Sequence, residues 1–181
     1  QGRQVMSYDV VVVGCGPVGA LAANLLGLKG LRVLVLEREV EHYPLPRAVH
    51  LDHEMMRLFQ SAGVIDRVAG DMIATDGHLH VGADHGVIRY MGTVGKPRPF
   101  GWANDYFFCQ PELEAHLREG FAALDGVTFT PGATVTACPG AGGRIGRVPI
   151  RSSTTPAMPR TPAATAPLPA TRRSAMYSTV A

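Results

Sequence analysis

The chain has 181 residues, 46% of them hydrophobic and 18% charged, which is enough for one domain with a sizeable core. Its formal net charge of +2 hides an asymmetry: residues 1–125 hold 11 Lys/Arg and all 15 Asp/Glu, while residues 126–181 hold six arginines and no acid. The three cysteines, Cys15, Cys109 and Cys138, are odd in number and lack Cys-x-x-Cys spacing; this argues against a disulfide scaffold or zinc ribbon and for a reduced, cytosolic compartment.

Tyr8 to Val13 is a β-branched run without helical period, the pattern of a strand buried on both faces of a parallel sheet. It runs into Gly14-Cys15-Gly16-Pro17-Val18-Gly19, a G-x-G-x-x-G at a strand end, and then into an Ala/Leu-rich helix from Ala20 to Lys29 closed by Gly30. Leu31 to Leu36 reads as a second buried strand, ending in Glu37-Arg38. Each position has a physical reason. Gly14 permits the tight turn, Gly16 lets backbone approach a pyrophosphate, and Gly19 lets helix and strand pack closely. Pro17 suits the first helical turn, whose free N–H groups and positive dipole end face an anion. Glu37 lies 18 residues after Gly19 and is placed to accept hydrogen bonds from ribose hydroxyls. The unit is built to hold the ADP half of a dinucleotide.

The same segment carries no charge from Val10 to Leu28, which approaches membrane-spanning length. Four glycines, Pro17 and Asn24 interrupt it, and Arg3 alone is a poor basic start for a signal peptide, so no membrane partner is expected. Cys15, at a helix N-terminus, is read either as a thiol of lowered pKa or, preferably, as a small packing residue.

Pro44 and Pro46 mark a loop over residues 41–47, and His50 to Ala62 reads as a helix with Leu51, Met55, Leu58 and Phe59 on one face. Residues 78–81 and 87–91 read as a hairpin around Gly82-Ala83-Asp84-His85-Gly86. Gln110-Pro111-Glu112-Leu113-Glu114 opens another helix, with Leu113, Leu117, Phe121 and Leu124 as its buried stripe. Val127-Thr128-Phe129 and Thr134-Val135-Thr136 follow as strands. His78 and His80 share a strand face with His85 nearby, and His50 and His53 stand three apart. No carboxylate or thiolate completes either set, so no metal site is expected. No G-x-S-x-G or other nucleophile motif occurs.

The N-terminal unit, Pro46-Arg47-Ala48-Val49-His50-Leu51-Asp52 and Gln110-Pro111-Glu112-Leu113-Glu114 together resemble the FAD-dependent aromatic-ring hydroxylases, in particular the 3-(3-hydroxyphenyl)propionate hydroxylase-like enzymes. The resemblance covers about residues 6–137. It implies an α/β fold: a Rossmann-like FAD-binding domain with the inserted β-strands of a substrate domain, incomplete, over residues 6–138, the inserted strands lying at about 77–108. By the same resemblance Gly14, Gly16, Pro17, Val18 and Gly19 form the turn that holds the pyrophosphate. Glu37, followed by Arg38, holds the adenosine ribose, Arg47 and Gln110 serve the flavin side, and Val135 offers its backbone to the adenine. A solvated loop arginine is the alternative for Arg47, and helix capping for Gln110. The implied reaction is NAD(P)H-dependent hydroxylation of a phenol by O2 through a flavin hydroperoxide, with no catalytic side chain identified. An NAD(P)-dependent dehydrogenase and a truncated, non-catalytic nucleotide-binding fragment are the rival readings.

Two later motifs of that family, an Asp-Gly and a Gly-Asp segment serving the cofactors, have no counterpart; Asp125-Gly126 comes too early. Residues 139–181 are rich in Ala, Pro, Thr, Ser and Arg, with seven prolines, and are expected to be a disordered tail, because so little apolar surface does not offset the ordering of the backbone. The abrupt change near Cys138-Pro139 suggests an off-frame segment, with a natural basic linker as the alternative. Translation of the downstream DNA in the other two frames tests this, and the idea fails if neither frame yields the two missing motifs. Six scattered arginines without aromatics do not make a specific nucleic-acid surface.

Overall fold

The computed structural model describes residues 7–41, 44–45, 47–138, 140–141, 144–145 and 148–152. The chain opens with β1 (Val10–Val13), α1 (Pro17–Leu28) and β2 (Val33–Glu37). β1 and β2 pair in parallel, Val10 opposite Val33 through Val13 opposite Leu36, and β8 (Val127–Pro131) adds in parallel to the other side of β2. The order is therefore β1–β2–β8, with β2 central and its Val33, Val35 and Leu36 buried. β1 is an outer strand of this sheet, and its four valines are half-buried to exposed rather than covered on both faces as the sequence pattern suggests.

Two helices back the sheet. α4 (Gln110–Ala122) buries Leu113, Leu117 and Phe121, the expected stripe, each such side chain worth about 1.5–3 kcal/mol on transfer from water. α1 lies against α4 through small residues. A Cβ on Gly120 would come within 2.5 Å of Asn24 Oδ1 on α1, whereas one on Gly27 would come within 2.6 Å of Val127 Cγ2 on β8. Buried Asn24 donates to Ala20 O and to Leu117 O, both at 2.8 Å, so the two helices share a hydrogen bond inside an otherwise apolar seam. No helix among the described residues is long and apolar enough to cross a membrane; the uncharged stretch is divided between β1, a turn and α1.

Between β2 and α4 the chain builds a second layer. β3 (His50–Asp52) precedes α2 (His53–Ser61), α3 (Ile65–Val68), a 3-10 turn (Ala69–Asp71), β4 (Ile73–Ala74), the hairpin β5 (Gly77–Val81) and β6 (Val87–Gly92), and β7 (Asp105–Phe107). β7 is central in an antiparallel sheet, β3–β7–β4. The helix expected from His50 begins at His53, because Asp52 is its N-cap: Oδ1 accepts from the N–H groups of Glu54 and Met55 at 3.0 and 3.1 Å. His50, Leu51 and Asp52 are instead a strand. The helix buries Met56 and Phe59, whereas Leu58 of the expected face is exposed.

After β8 come β9 (Ala133–Val135), β10 (Gly140–Ala141), β11 (Arg144–Ile145) and β12 (Ile150–Ser152). β12 pairs antiparallel with β9, Ile150 opposite Val135, and β10 pairs antiparallel with β11, so these parts of the segment expected to be disordered form strands. Residues 153–181 of that segment lie outside the described residues.

Candidate functional site

The carboxyl ends of β1 and β2 and the N-terminus of α1 open on a cleft of about 770 Å3. Its wall carries Gly14, Gly16, Glu37, Arg38, Arg47 and Val135 from the expected set, together with Cys15, Glu114, Arg118, Ala133 and Thr134. Gly14 holds φ at +95°, a left-handed conformation that favours glycine, and its N–H donates to Leu36 O at 2.7 Å, folding the turn back over the end of β2. A Cβ on Gly14 or Gly16 would meet nothing within 4 Å, so this stretch of backbone borders open space. Gly19 differs. A Cβ there would stand 2.0 Å from Gly14 O, and Gly19 is not on the cleft wall, so it closes the turn from behind by packing. Pro17 occupies the first turn of α1, and Val18 is 84% exposed beside it.

Glu37 ends β2 with both carboxylate oxygens engaged by backbone: Oε2 accepts from Cys15 N–H at 2.7 Å and Oε1 from Glu39 N–H at 3.0 Å. Burial pushes its pKa up, but the N–H donors of Glu39, Cys15 and Arg38 and the Arg118 charge outweigh that and leave it below its ordinary value. The anion keeps lone pairs able to accept further hydrogen bonds. Arg38 pairs with Glu39 at 3.0 Å at the exposed lip.

Gln110 stands behind the wall. Its Oε1 accepts from the N–H groups of both Arg47 and Ala48 at 2.9 Å, and its Nε2 donates to Glu114 Oε1 at 2.8 Å. A buried side chain at the start of α4 thus pins the segment that presents Arg47 to the cleft; it is not a helix cap. Val135 lines the same cleft next to Ala133 and Thr134, where β9 is fastened by β12.

Arg118 was not singled out by the sequence, since a lone arginine one turn past Glu114 looks like a solvated helix residue. In the fold its Nη2 donates to Cys15 O at 3.1 Å, it faces Glu114 at 3.7 Å, and its guanidinium carbon sits 5.5 Å from the Phe129 ring centroid. Its Nε is buried without a hydrogen-bond partner. A cation with an unspent donor beside a helix N-terminus suits a diphosphate. Cys15 is fully buried, and burial, opposed by Arg118 and aided by Glu37 and Glu114, pushes its thiol up to about 11; the packing role of this cysteine is the one the structure supports.

The histidines regroup. His50 and His78, expected in separate pairs, meet at Asp105 on β7, a carboxylate that the sequence pairing left out.

Parallel strands joined by a helix, a glycine turn on its N-terminus and an acid at the end of the second strand define a dinucleotide-binding domain of the Rossmann-like class. The family described as FAD binding domain matches residues 7–143, and the chain belongs to that family. It is 39% identical over 134 residues to a probable NADH-specific resorcinol 4-hydroxylase of Rhodococcus jostii, covering 74% of this chain and 25% of that one. It is 35% identical over 130 residues to a 3-(3-hydroxy-phenyl)propionate/3-hydroxycinnamic acid hydroxylase of Mycolicibacterium gilvum, covering 72% and 22%. Among solved structures, p-nitrophenol 4-monooxygenase from Pseudomonas putida superposes with a TM-score of 0.66 at 26% identity, over 73% of this chain and 33% of that chain. The chain therefore spans about a quarter of the length of these curated relatives. The open backbone at Gly14 and Gly16, the Glu37 carboxylate and the Arg118 guanidinium are chemically suited to the ADP half of FAD.

Proposed function

We propose that this chain is the FAD-binding portion of an NAD(P)H-dependent monooxygenase that hydroxylates a phenolic ring with O2. The observation that carries the reading is the Glu37–Cys15 hydrogen bond, which joins a ribose-binding acid to a phosphate-binding turn at the mouth of one cleft. The names of the two curated relatives, both phenol-type hydroxylases, support the substrate class. Three free cysteines accord with a reduced, cytoplasmic setting.

Each wall of the cleft has its part. The Gly14–Gly16 backbone and the N-terminus of α1 receive the diphosphate, with Arg118 behind the turn as counter-charge. Glu37 accepts from the ribose, and the strand carrying Val135 borders the adenine. Arg47, held by Gln110, reaches toward the flavin side. The electron-transfer and oxygen chemistry belongs to the FAD once bound, since no side chain here offers it.

The test is a visible absorption spectrum of the purified chain after incubation with FAD and gel filtration, taken beside its circular dichroism. A flavin band retained in stoichiometric amount supports the reading and justifies assays of NAD(P)H consumption and phenol hydroxylation. A folded chain that retains no flavin but binds NAD overturns it in favour of a dehydrogenase.

A further inference from the structure

Away from the cleft, three strands bring three donor side chains to one point. Asp105, at the start of β7, has a side chain only 7% exposed and lies between two imidazoles. Its Oδ2 stands 2.7 Å from Nε2 of His78 on β5, and its Oδ1 contacts Nε2 of His50 on β3. The two rings sit edge to face with centroids 4.4 Å apart, and Phe107 packs at the edge of both. One ligand atom from each of the three residues falls within 4.8 Å of the others.

The carboxylate is held from outside the trio as well. Thr75 Oγ1 donates to Asp105 Oδ2 at 3.2 Å, and Thr75 N–H donates to Asp105 O at 3.0 Å. Thr75 Oγ1 in turn accepts from Gly77 N–H at 3.2 Å, at the base of the strand that carries His78. Strand pairing sets Asp105 opposite Asp52 and His50 opposite Phe107, so the register of β3 and β7 brings His50 and Asp105 together, and His78 is supplied by the separate β5–β6 hairpin.

We propose that His50, His78 and Asp105 bind a divalent transition-metal cation, with Zn2+ as the probe. Two imidazole nitrogens and one carboxylate oxygen suit Zn2+, Co2+, Ni2+ or Cu2+, whereas Mg2+ and Ca2+ require oxygen donors. Ligand bonds to such an ion are about 2.0–2.2 Å, so binding replaces the direct His–Asp105 contacts with bonds to the metal. The hydrogen bonds from Thr75 are the outer contacts that orient a ligating carboxylate. The His50 side chain is 39% exposed, which gives the ion a way in and leaves room for water as a further ligand. None of the three residues lines the cofactor cleft, so the site stands independently of the FAD reading.

Isothermal titration of the full, tag-free chain with Zn2+, without FAD, should give one ion per chain. His78→Asn and Asp105→Asn, each checked for native circular dichroism, should weaken binding at least about tenfold. His80→Ala and His85→Ala should leave it unchanged. Zn2+ absorption-edge fine structure on the wild-type chain should show two imidazoles and light oxygen ligands, a readout that needs no variant. Substoichiometric binding, a shell containing sulfur or only one imidazole, or equal affinity in folded His78→Asn overturns the proposal and leaves a hydrogen-bonded His–Asp–His array.

Discussion

The backbone N–H of Cys15 donates to the Glu37 carboxylate at 2.7 Å, bridging 22 residues and tying the glycine turn to the end of the second strand. One side chain therefore shapes the turn and, in the proposed function, also serves as an acceptor for the ribose. Glu37→Gln turns an NH2 toward one of the two backbone N–H donors that the carboxylate now accepts. Hydrogen bonds to charged groups are worth about 1.5–3 kcal/mol, so FAD affinity, measured by fluorescence titration, should fall roughly tenfold to a hundredfold. Unchanged affinity would remove Glu37 from the site.

Glu37 also carries a pH signature. Its pKa in the fold lies below the ordinary 4.5, so the folded state binds this proton less tightly than the unfolded chain. Its stabilisation is complete above that ordinary value and is lost as pH falls through the depressed one. Thermal unfolding of wild type and Glu37→Gln should converge as the pH drops below 4.5. A gap that stays constant into acid would contradict the assignment.

Gly16→Ala and Gly19→Ala should fail in different ways. The Gly16 Cβ enters open space, so the protein folds with near-normal Tm but binds FAD poorly because the methyl occupies ligand space. The Gly19 Cβ would lie 2.0 Å from Gly14 O, and Tm should drop by an amount equivalent to about 1–3 kcal/mol or more. Equal Tm losses for the two would refute the division between a ligand-facing and a packing glycine.

Alkylation with iodoacetamide at neutral pH should rank the thiols Cys138, then Cys109, then Cys15, following exposed, intermediate and buried positions. Cys15 has the further barrier of a thiol held near 11, so its modification should become appreciable only in strong alkali or on unfolding. Mass-spectrometric mapping decides the order, and early labelling of Cys15 would show the turn to be open.

Asn24→Ala removes the donor to Leu117 O and leaves that buried carbonyl without this partner, at a cost of about 1–3 kcal/mol in urea unfolding. Asn24→Asp should be worse, because it buries a charge in the α1–α4 seam.

The nucleotide-binding unit was legible because its signals are local: a β-branched run, glycines at fixed spacing and an acid at a set distance. The hairpin was legible for the same reason, its two short strands flanking Gly82 and Gly86. What escaped is non-local. Arg118 reaches Cys15 across 103 residues, and Asp105 reaches His50 across 55; no spacing rule covers either. The start of α2 is not legible from apolar spacing alone, because Asp52 fits within the helical pattern and yet caps the helix at the end of a strand. Gln110 stood out as a residue, but its task of holding Arg47 and Ala48 depends on a loop 62 and 63 residues earlier.

The small-residue seam has a mechanical consequence. α1 carries the glycine turn at its N-terminus and α4 carries Arg118; Gly120, with no room for a methyl beside Asn24, holds the helices close, and the Arg118–Cys15 hydrogen bond of 3.1 Å ties the turn to the guanidinium. The distance between the turn and its guanidinium is therefore set before any ligand arrives, so that binding there spends little free energy on ordering the protein. Gln110 does the same for the segment that presents Arg47, holding two of its N–H groups at 2.9 Å, so α4 preorganises both that segment and the guanidinium.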